Sequence, residues 1–197
     1  MSELNPPLPP SLSSLSVVIL AGGQGKRVGT RQKALLSYQG QPLLKWILKD
    51  LAEKKLPILL NVNAHHSDYK VYDLPQFSDQ YKGFLGPLAG MQAAWNWVES
   101  DWIVFVPCDN PSLPSNLIER LLQAYAMYPA PLVVAHDGQR VQPLYLLMHR
   151  SMASKLKQAL EQSHLSVSRW IQENPHARAD FSDQYESFKN INTLESS

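Results

Sequence analysis

Two groups of residues have the types and spacing to handle a phosphorylated substrate. The first runs Leu20-Ala21-Gly22-Gly23-Gln24-Gly25-Lys26-Arg27-Val28-Gly29 and continues to Lys33. Glycines let a backbone approach a ligand closely and take positive φ, and successive N–H groups then form an anion nest. Arg27 and Lys33 supply the positive charge that a triphosphate requires. The second group is Phe105-Val106-Pro107-Cys108-Asp109-Asn110-Pro111. Its Asp109 is a hard oxygen ligand of the kind that suits Mg²⁺, which takes one or two carboxylates and fills its shell with phosphate oxygens. The chemistry expected is the gripping of a nucleoside triphosphate with its metal ion. It requires Lys33 and Asp109 to face one shared hollow.

The elements around these residues place both groups at strand ends. Ser16 to Leu20 is a continuous apolar run of the kind buried on both faces of a sheet. Pro42 to Leu56 predicts a helix with Leu43, Leu44, Ile47, Leu48 and Leu51 on one face. Pro57 to Val62 predicts a second strand, Gly86-Pro87 opens a helix through about Glu99, and Trp102 to Val106 predicts a third strand stopped by Pro107. A helix follows from Pro114-Ser115 with Leu117, Ile118, Leu121, Leu122 and Tyr125 inward. Pro131 to Ala135 and Pro143 to Met148 read as strands, Ser151 to Glu161 and Ser166 to Gln172 as helices, and Phe188 to Asn192 as a closing strand. Such alternation predicts an α/β domain with a mainly parallel sheet and helices on both faces. Ligands of such sheets bind where strands end at their carboxyl edge, which is where the glycine loop and Asp109 fall.

Composition narrows the function classes. The 197 residues are 44% hydrophobic and 18% charged, with a formal net charge of +1, a globular mixture with no global pull toward nucleic acid or an acidic membrane. The lone Cys108 allows no disulfide framework and agrees with a cytoplasmic location. No apolar run nears the roughly 20 residues that span a bilayer, and residues 1–15, rich in Pro, Ser and Leu, read as a flexible leader before a single domain over residues 16–197.

Other residues take plainer readings. His65-His66-Ser67-Asp68 is a solvated loop without a second pair at metal-ligand spacing. Trp95, Trp97 and Trp102 are packing residues, Cys108 a small buried filler, Lys54-Lys55 a charge pair suited to a helix C-terminus, and His136-Asp137-Gly138 a turn. A dinucleotide-binding oxidoreductase is disfavoured because the glycine after Gly23-Gln24-Gly25 comes at Gly29, one position late, and the Gly25-Lys26-Arg27 run does not complete a P-loop.

Together these segments resemble the molybdenum cofactor guanylyltransferases, the MobA family. The resemblance is carried by Leu20-Ala21-Gly22-Gly23 with Arg27 and Lys33, Asn61-Val62-Asn63, Gly86-Pro87-Leu88-Ala89-Gly90-Met91, Pro107 to Pro111, Gln142-Pro143-Leu144 and Phe188 to Thr193. It implies a three-layer, Rossmann-like nucleotidyltransferase fold with a mainly parallel, mixed sheet. It implies that Leu20, Ala21, Gly22 and Gly23 line the nucleotide, that Lys33 holds phosphates, that Asn61 and Asp79 contact the guanine nucleotide, and that Asp109 binds Mg²⁺ and the triphosphate. Arg27, Lys33 and Asp109 form the implied catalytic set. Asn190 and Asn192 fall where the family approaches its pterin substrate, and Arg169 stands three residues after Ser166, where the family carries an arginine. Thr30-Arg31-Gln32 replaces the family's Gly-x-Asp before the lysine.

The activity implied is transfer of GMP from GTP to molybdenum-molybdopterin, with proteins that deliver molybdopterin or accept the finished cofactor as partners, and no nucleic acid or membrane. The alternatives are a cytidylyl- or sugar-phosphate nucleotidyltransferase of the same fold and a non-catalytic nucleotide-binding homologue.

Overall fold

A computed structural model describes residues 7–23, 32–81, 83 and 85–189. In chain order the elements are β1 (Leu15–Leu20), β2 (Ser37–Tyr38), β3 (Gln41–Pro42), α1 (Leu43–Leu51), β4 (Ile58–Asn61), β5 (Gln76–Phe77), α2 (Pro87–Ala94), β6 (Trp102–Pro107), α3 (Leu117–Met127), β7 (Leu132–His136), β8 (Val141–His149), α4 (Ala153–Glu161), α5 (Val167–Gln172) and β9 (Ala177–Asp180). β2 and β3 form a small separate hairpin.

The other seven strands make one sheet in the order β5-β4-β1-β6-β8-β7-β9. Neighbours are parallel except β8, which runs antiparallel to both β6 and β7. β1 and β6 are buried along their whole length because their side chains alternate between two apolar layers. Leu15, Val17 and Ile19 join Trp102, Val104 and Val106 beneath α1 and α3. Val18 and Leu20 join Ile103 and Phe105 beneath α2, α4 and α5. The α/β class and the mixed, mainly parallel sheet are therefore as the sequence predicts. No described helix is long and apolar enough to cross a membrane.

Several boundaries differ, each for a local reason. Pro42 pairs with Ser37 in the small hairpin and caps α1 from outside instead of opening it. α1 stops at Leu51, passes into a 3-10 turn, and ends at Lys55 in the left-handed region (φ 51°). α2 ends at Ala94, well short of Glu99. Beyond it, the Arg150 guanidinium collects the carbonyls of Trp95, Val98 and Ser100 at 3.3, 2.5 and 2.9 Å and lies over the Trp95 ring, which fixes a turn instead of a further helical turn. Trp97 then points outward and stacks on Phe77.

The expected closing strand at Phe188 to Asn192 is not borne out in its described part: residues Ser182–Phe188 form a 3-10 segment, and residues 190–192 lie outside the described set. The strand of this region is β9, whose Ala-Arg-Ala-Asp sequence hides it. Residues 7–14 lie along the molecule, with the Leu8 carbonyl accepting from Trp102 Nε1 at 3.1 Å and the Pro7 carbonyl accepting from the Tyr125 hydroxyl. They lead into β1 through a 3-10 turn at Leu12–Ser14.

Candidate functional site

β1, β4 and β6 are parallel, so their carboxyl ends share one edge of the sheet. In register, Leu20 is flanked by Asn61 on one side and Pro107 on the other. At normal strand spacing those two flanking residues are roughly 10 Å apart. The glycine loop leaves from Leu20, Asn61 closes β4, and Asp109 follows β6 by two residues. Each expected residue of this group thus reaches the same edge.

Two clusters form there. In the first, Lys33 Nζ lies 3.4 Å from Asp109 Oδ2, with side chains 33% and 27% exposed. Lys33 is delivered by a 3-10 turn over Lys33–Leu35 whose Ala34 is buried under α1. The pair is long and partly wet, so it holds little energy in itself and its two charges can turn toward an incoming ligand. Cys108 beside it is a buried thiol pushed up to about 12 by burial and by the charge of Asp109. It stays protonated and is no nucleophile, in keeping with the filler role expected for it.

The second cluster joins three loops. Asn61, only 3% exposed, donates to Asp79 Oδ1 at 2.9 Å. Asn63 donates to Asp79 Oδ2 at 2.7 Å and to the Gly22 carbonyl at 2.9 Å, and its Oδ1 accepts from the Asp79 amide at 2.8 Å. Burial raises the Asp79 carboxyl above its ordinary value, and the bonds from Asn61 and Asn63 offset part of that rise. Glycine is required at two contact points. A Cβ on Gly22 would meet Asn63 Nδ2 at 2.6 Å and Asn61 Oδ1 at 2.7 Å, and one on Gly90 would meet Asn61 Oδ1 at 2.4 Å. Asn61 is enclosed from both sides.

The structure therefore brings Leu20, Ala21, Gly22, Gly23, Lys33, Asn61, Asp79 and Asp109 to one edge. It does not bring Arg169 to either cluster. That side chain is exposed on α5, bonded through Nε to Glu173 one turn on at 2.7 Å, and among the described residues it makes no hydrogen bond or ion pair to the Lys33 or Asp79 groups. Arg27, Asn190 and Asn192 lie outside the described residues. His65 and Asp68 are exposed, and among the described residues no three His, Cys, Asp or Glu side chains gather as a metal site. His136-Asp137-Gly138 is a turn, as expected. Burial would raise the Asp137 carboxyl, but the amides of Arg140 and Gln139, the Gln142 side chain and the Arg140 charge outweigh it and leave it below the ordinary value.

Two residues with evident roles had no individual role in the sequence reading. Asn63 entered only as part of Asn61-Val62-Asn63, although spacing by two puts both asparagines on one side of an extended chain. Asn110 is buried at 3%. Its Nδ2 donates to the Tyr145 hydroxyl at 2.9 Å and to the Ser187 carbonyl at 2.5 Å. Nothing about a single Asn after Asp109 announces so distant a partner.

An open α/β sheet with a glycine loop, a lysine and a carboxylate at the carboxyl edge is the layout of a nucleotidyltransferase. A family model described as the MobA-like NTP transferase domain matches residues 17–178, and the chain belongs to that family. The molybdenum cofactor guanylyltransferase of Shewanella putrefaciens is 38% identical over 92% of this chain and 93% of its own length. That of Shewanella piezotolerans is 36% identical over 92% and 89%. Among solved structures, molybdopterin-guanine dinucleotide biosynthesis protein A from Archaeoglobus fulgidus superposes with a TM-score of 0.74 at 21% identity, covering 91% of this chain and 93% of that one. A nucleotidyl transferase from Methanothermobacter superposes with a TM-score of 0.66 at 14% identity, covering 92% and 93%. These two likenesses show the shared fold.

Proposed function

We propose that this enzyme transfers GMP from GTP to molybdenum-molybdopterin, forming a guanine dinucleotide cofactor and pyrophosphate. The observation that carries the reading is the meeting of Lys33 and Asp109 at 3.4 Å, on the same sheet edge as the Gly22–Asn61–Asn63–Asp79 cluster. The relatives' names supply the substrates. An oxygen of the acceptor's terminal phosphate attacks the α-phosphorus of GTP. A new P–O bond forms, the α–β anhydride bond breaks, and the electron pair leaves with pyrophosphate. The attacking oxygen is already anionic, so no general base is needed. The work is to bring two polyanions into line and neutralise their charge.

Lys33 serves that purpose by leaving Asp109 for the phosphates, and Arg27 adds a second cation. The amides of Ala21 to Gly23 line the nucleotide, while Asn61 and Asp79 face its base. Among the described residues Asp109 belongs to no group of three or more metal-ligating side chains, and a lone carboxylate suits Mg²⁺, which commonly keeps water and phosphate oxygens around one or two carboxylates. There Mg²⁺ would supply charge neutralisation for the triphosphate. Asn190 and Asn192 approach the pterin in this reading. Arg169 is the remaining candidate for that role and would have to leave Glu173 to take it.

Lys33→Ala and Asp109→Ala should each lose at least roughly a hundredfold in turnover, the scale expected when a transition-state charge contact is removed. The assay is pyrophosphate release from GTP with molybdenum-molybdopterin and Mg²⁺. Wild-type turnover in either variant would overturn the assignment. Preference for CTP over GTP would move the reading to a cytidylyltransferase.

A further inference from the structure

Asn63 joins three segments that are remote in sequence: the loop after β1 through the Gly22 carbonyl, its own loop after β4, and the stretch after β5 through both the side chain and the amide of Asp79. It stands outside the strands, so the sheet does not need it for pairing. An amide side chain offers two N–H donors and one acceptor oxygen, and here they are directed at the loop, the carboxylate and the Asp79 backbone.

The consequence falls on Asp79. Its Oδ1 accepts from Asn61 and its Oδ2 from Asn63. An ionised carboxylate has about four lone-pair positions, so each oxygen keeps acceptor capacity. Two adjacent acceptors complement a base edge with two adjacent N–H donors. Guanine offers that pair in N1–H and its 2-amino group. The pairing edges of adenine, cytosine and uracil do not, because an acceptor interrupts them.

Resting on the guanylyl reading above, we infer that Asn63 is a positioning residue for base selection. It fixes the Asp79 carboxylate in one orientation and ties it to Gly22, so that the base end and the phosphate end of the nucleotide are gripped in a set mutual position.

The test compares GTP with ITP, which keeps N1–H and lacks the 2-amino group, by calorimetric titration of the full chain. Wild type should prefer GTP by roughly tenfold, the value of one hydrogen bond to a charged acceptor. Asn63→Ala should lose roughly tenfold in GTP affinity and much less in ITP affinity, so the ratio falls toward one. Asn63→Leu, which has nearly the same size and cannot donate a hydrogen bond, should do likewise and serves where the alanine variant does not fold. In an Asp79→Ala background, adding Asn63→Ala should leave the ratio unchanged. Equal losses for GTP and ITP, or an effect that persists without Asp79, would overturn the inference while leaving the guanylyl reading intact. A wild type that binds GTP no better than CTP or ATP would remove that reading as well.

Discussion

A half-buried carboxylate held by two asparagines gives opposite signals in stability and in binding. Burial raises the Asp79 carboxyl above its ordinary value even though Asn61 and Asn63 pull it back. The folded state therefore favours its protonated form more than the unfolded chain does. Its contribution to stability is full below the ordinary carboxylate range and is lost as pH rises through the higher folded value. Binding runs the other way, since only the ionised form offers two acceptors to a base. The stability of wild type relative to Asp79→Ala, measured by urea melts, should accordingly fall as pH rises across that window. Over the same window, the ratio of wild-type to Asp79→Ala GTP affinity should rise. Two curves moving in the same direction would show that burial does not dominate this group.

At the scale of elements, two of the contacts that hold the C-terminal 3-10 segment Ser182–Phe188 differ in worth. Arg120 from α3 grips Asp183 at 2.6 and 2.7 Å, but the aspartate side chain is 58% exposed, and water screens such a pair heavily. Asn110 is buried, and its loss would leave the Tyr145 hydroxyl and the Ser187 carbonyl without that partner, at a cost of about 1–3 kcal/mol. Asn110→Ala should lower Tm by roughly 2–12 °C and Arg120→Ala by less, read by calorimetry. A larger drop in the arginine variant would reverse this ranking. The same contrast explains what the sequence discloses. Ser16 to Leu20 and Trp102 to Val106 are legible as strands because full burial makes them uniformly apolar. β9 is not, because an edge strand that alternates buried alanines with exposed Arg178 and Asp180 carries no β-branched residue and too little apolar signal. Lys33 and Asp109 are legible because they follow strands, whereas Asn61, the last residue of β4, is legible only through the family resemblance. Asn110 is not, because its role depends on Ser187, 77 residues away.

For the whole molecule, the edge that gathers Gly22, Asn61 and Asp109 is formed by β4, β1 and β6, the strands between the two apolar layers. A ligand bound there rests on both halves of the core, so it should stabilise the fold as one unit. Ligand at 100 times its dissociation constant adds about 2.7 kcal/mol, or roughly 5–10 °C in a chain of this size. GTP with Mg²⁺ should produce a shift of that order in a thermal melt, and ATP, CTP and UTP at the same concentration should produce little. The partly wet contact between Lys33 and Asp109 holds little energy in the unliganded protein. Lys33→Ala should thus melt near the wild-type temperature without nucleotide and lose most of the GTP shift. Equal shifts from all four nucleotides would mean that the site reads phosphates alone and that Asp79 does not face the base. A shift from CTP alone would mean that the sheet edge selects a pyrimidine. An unchanged GTP shift in Lys33→Ala would place the triphosphate somewhere other than the mouth of this sheet.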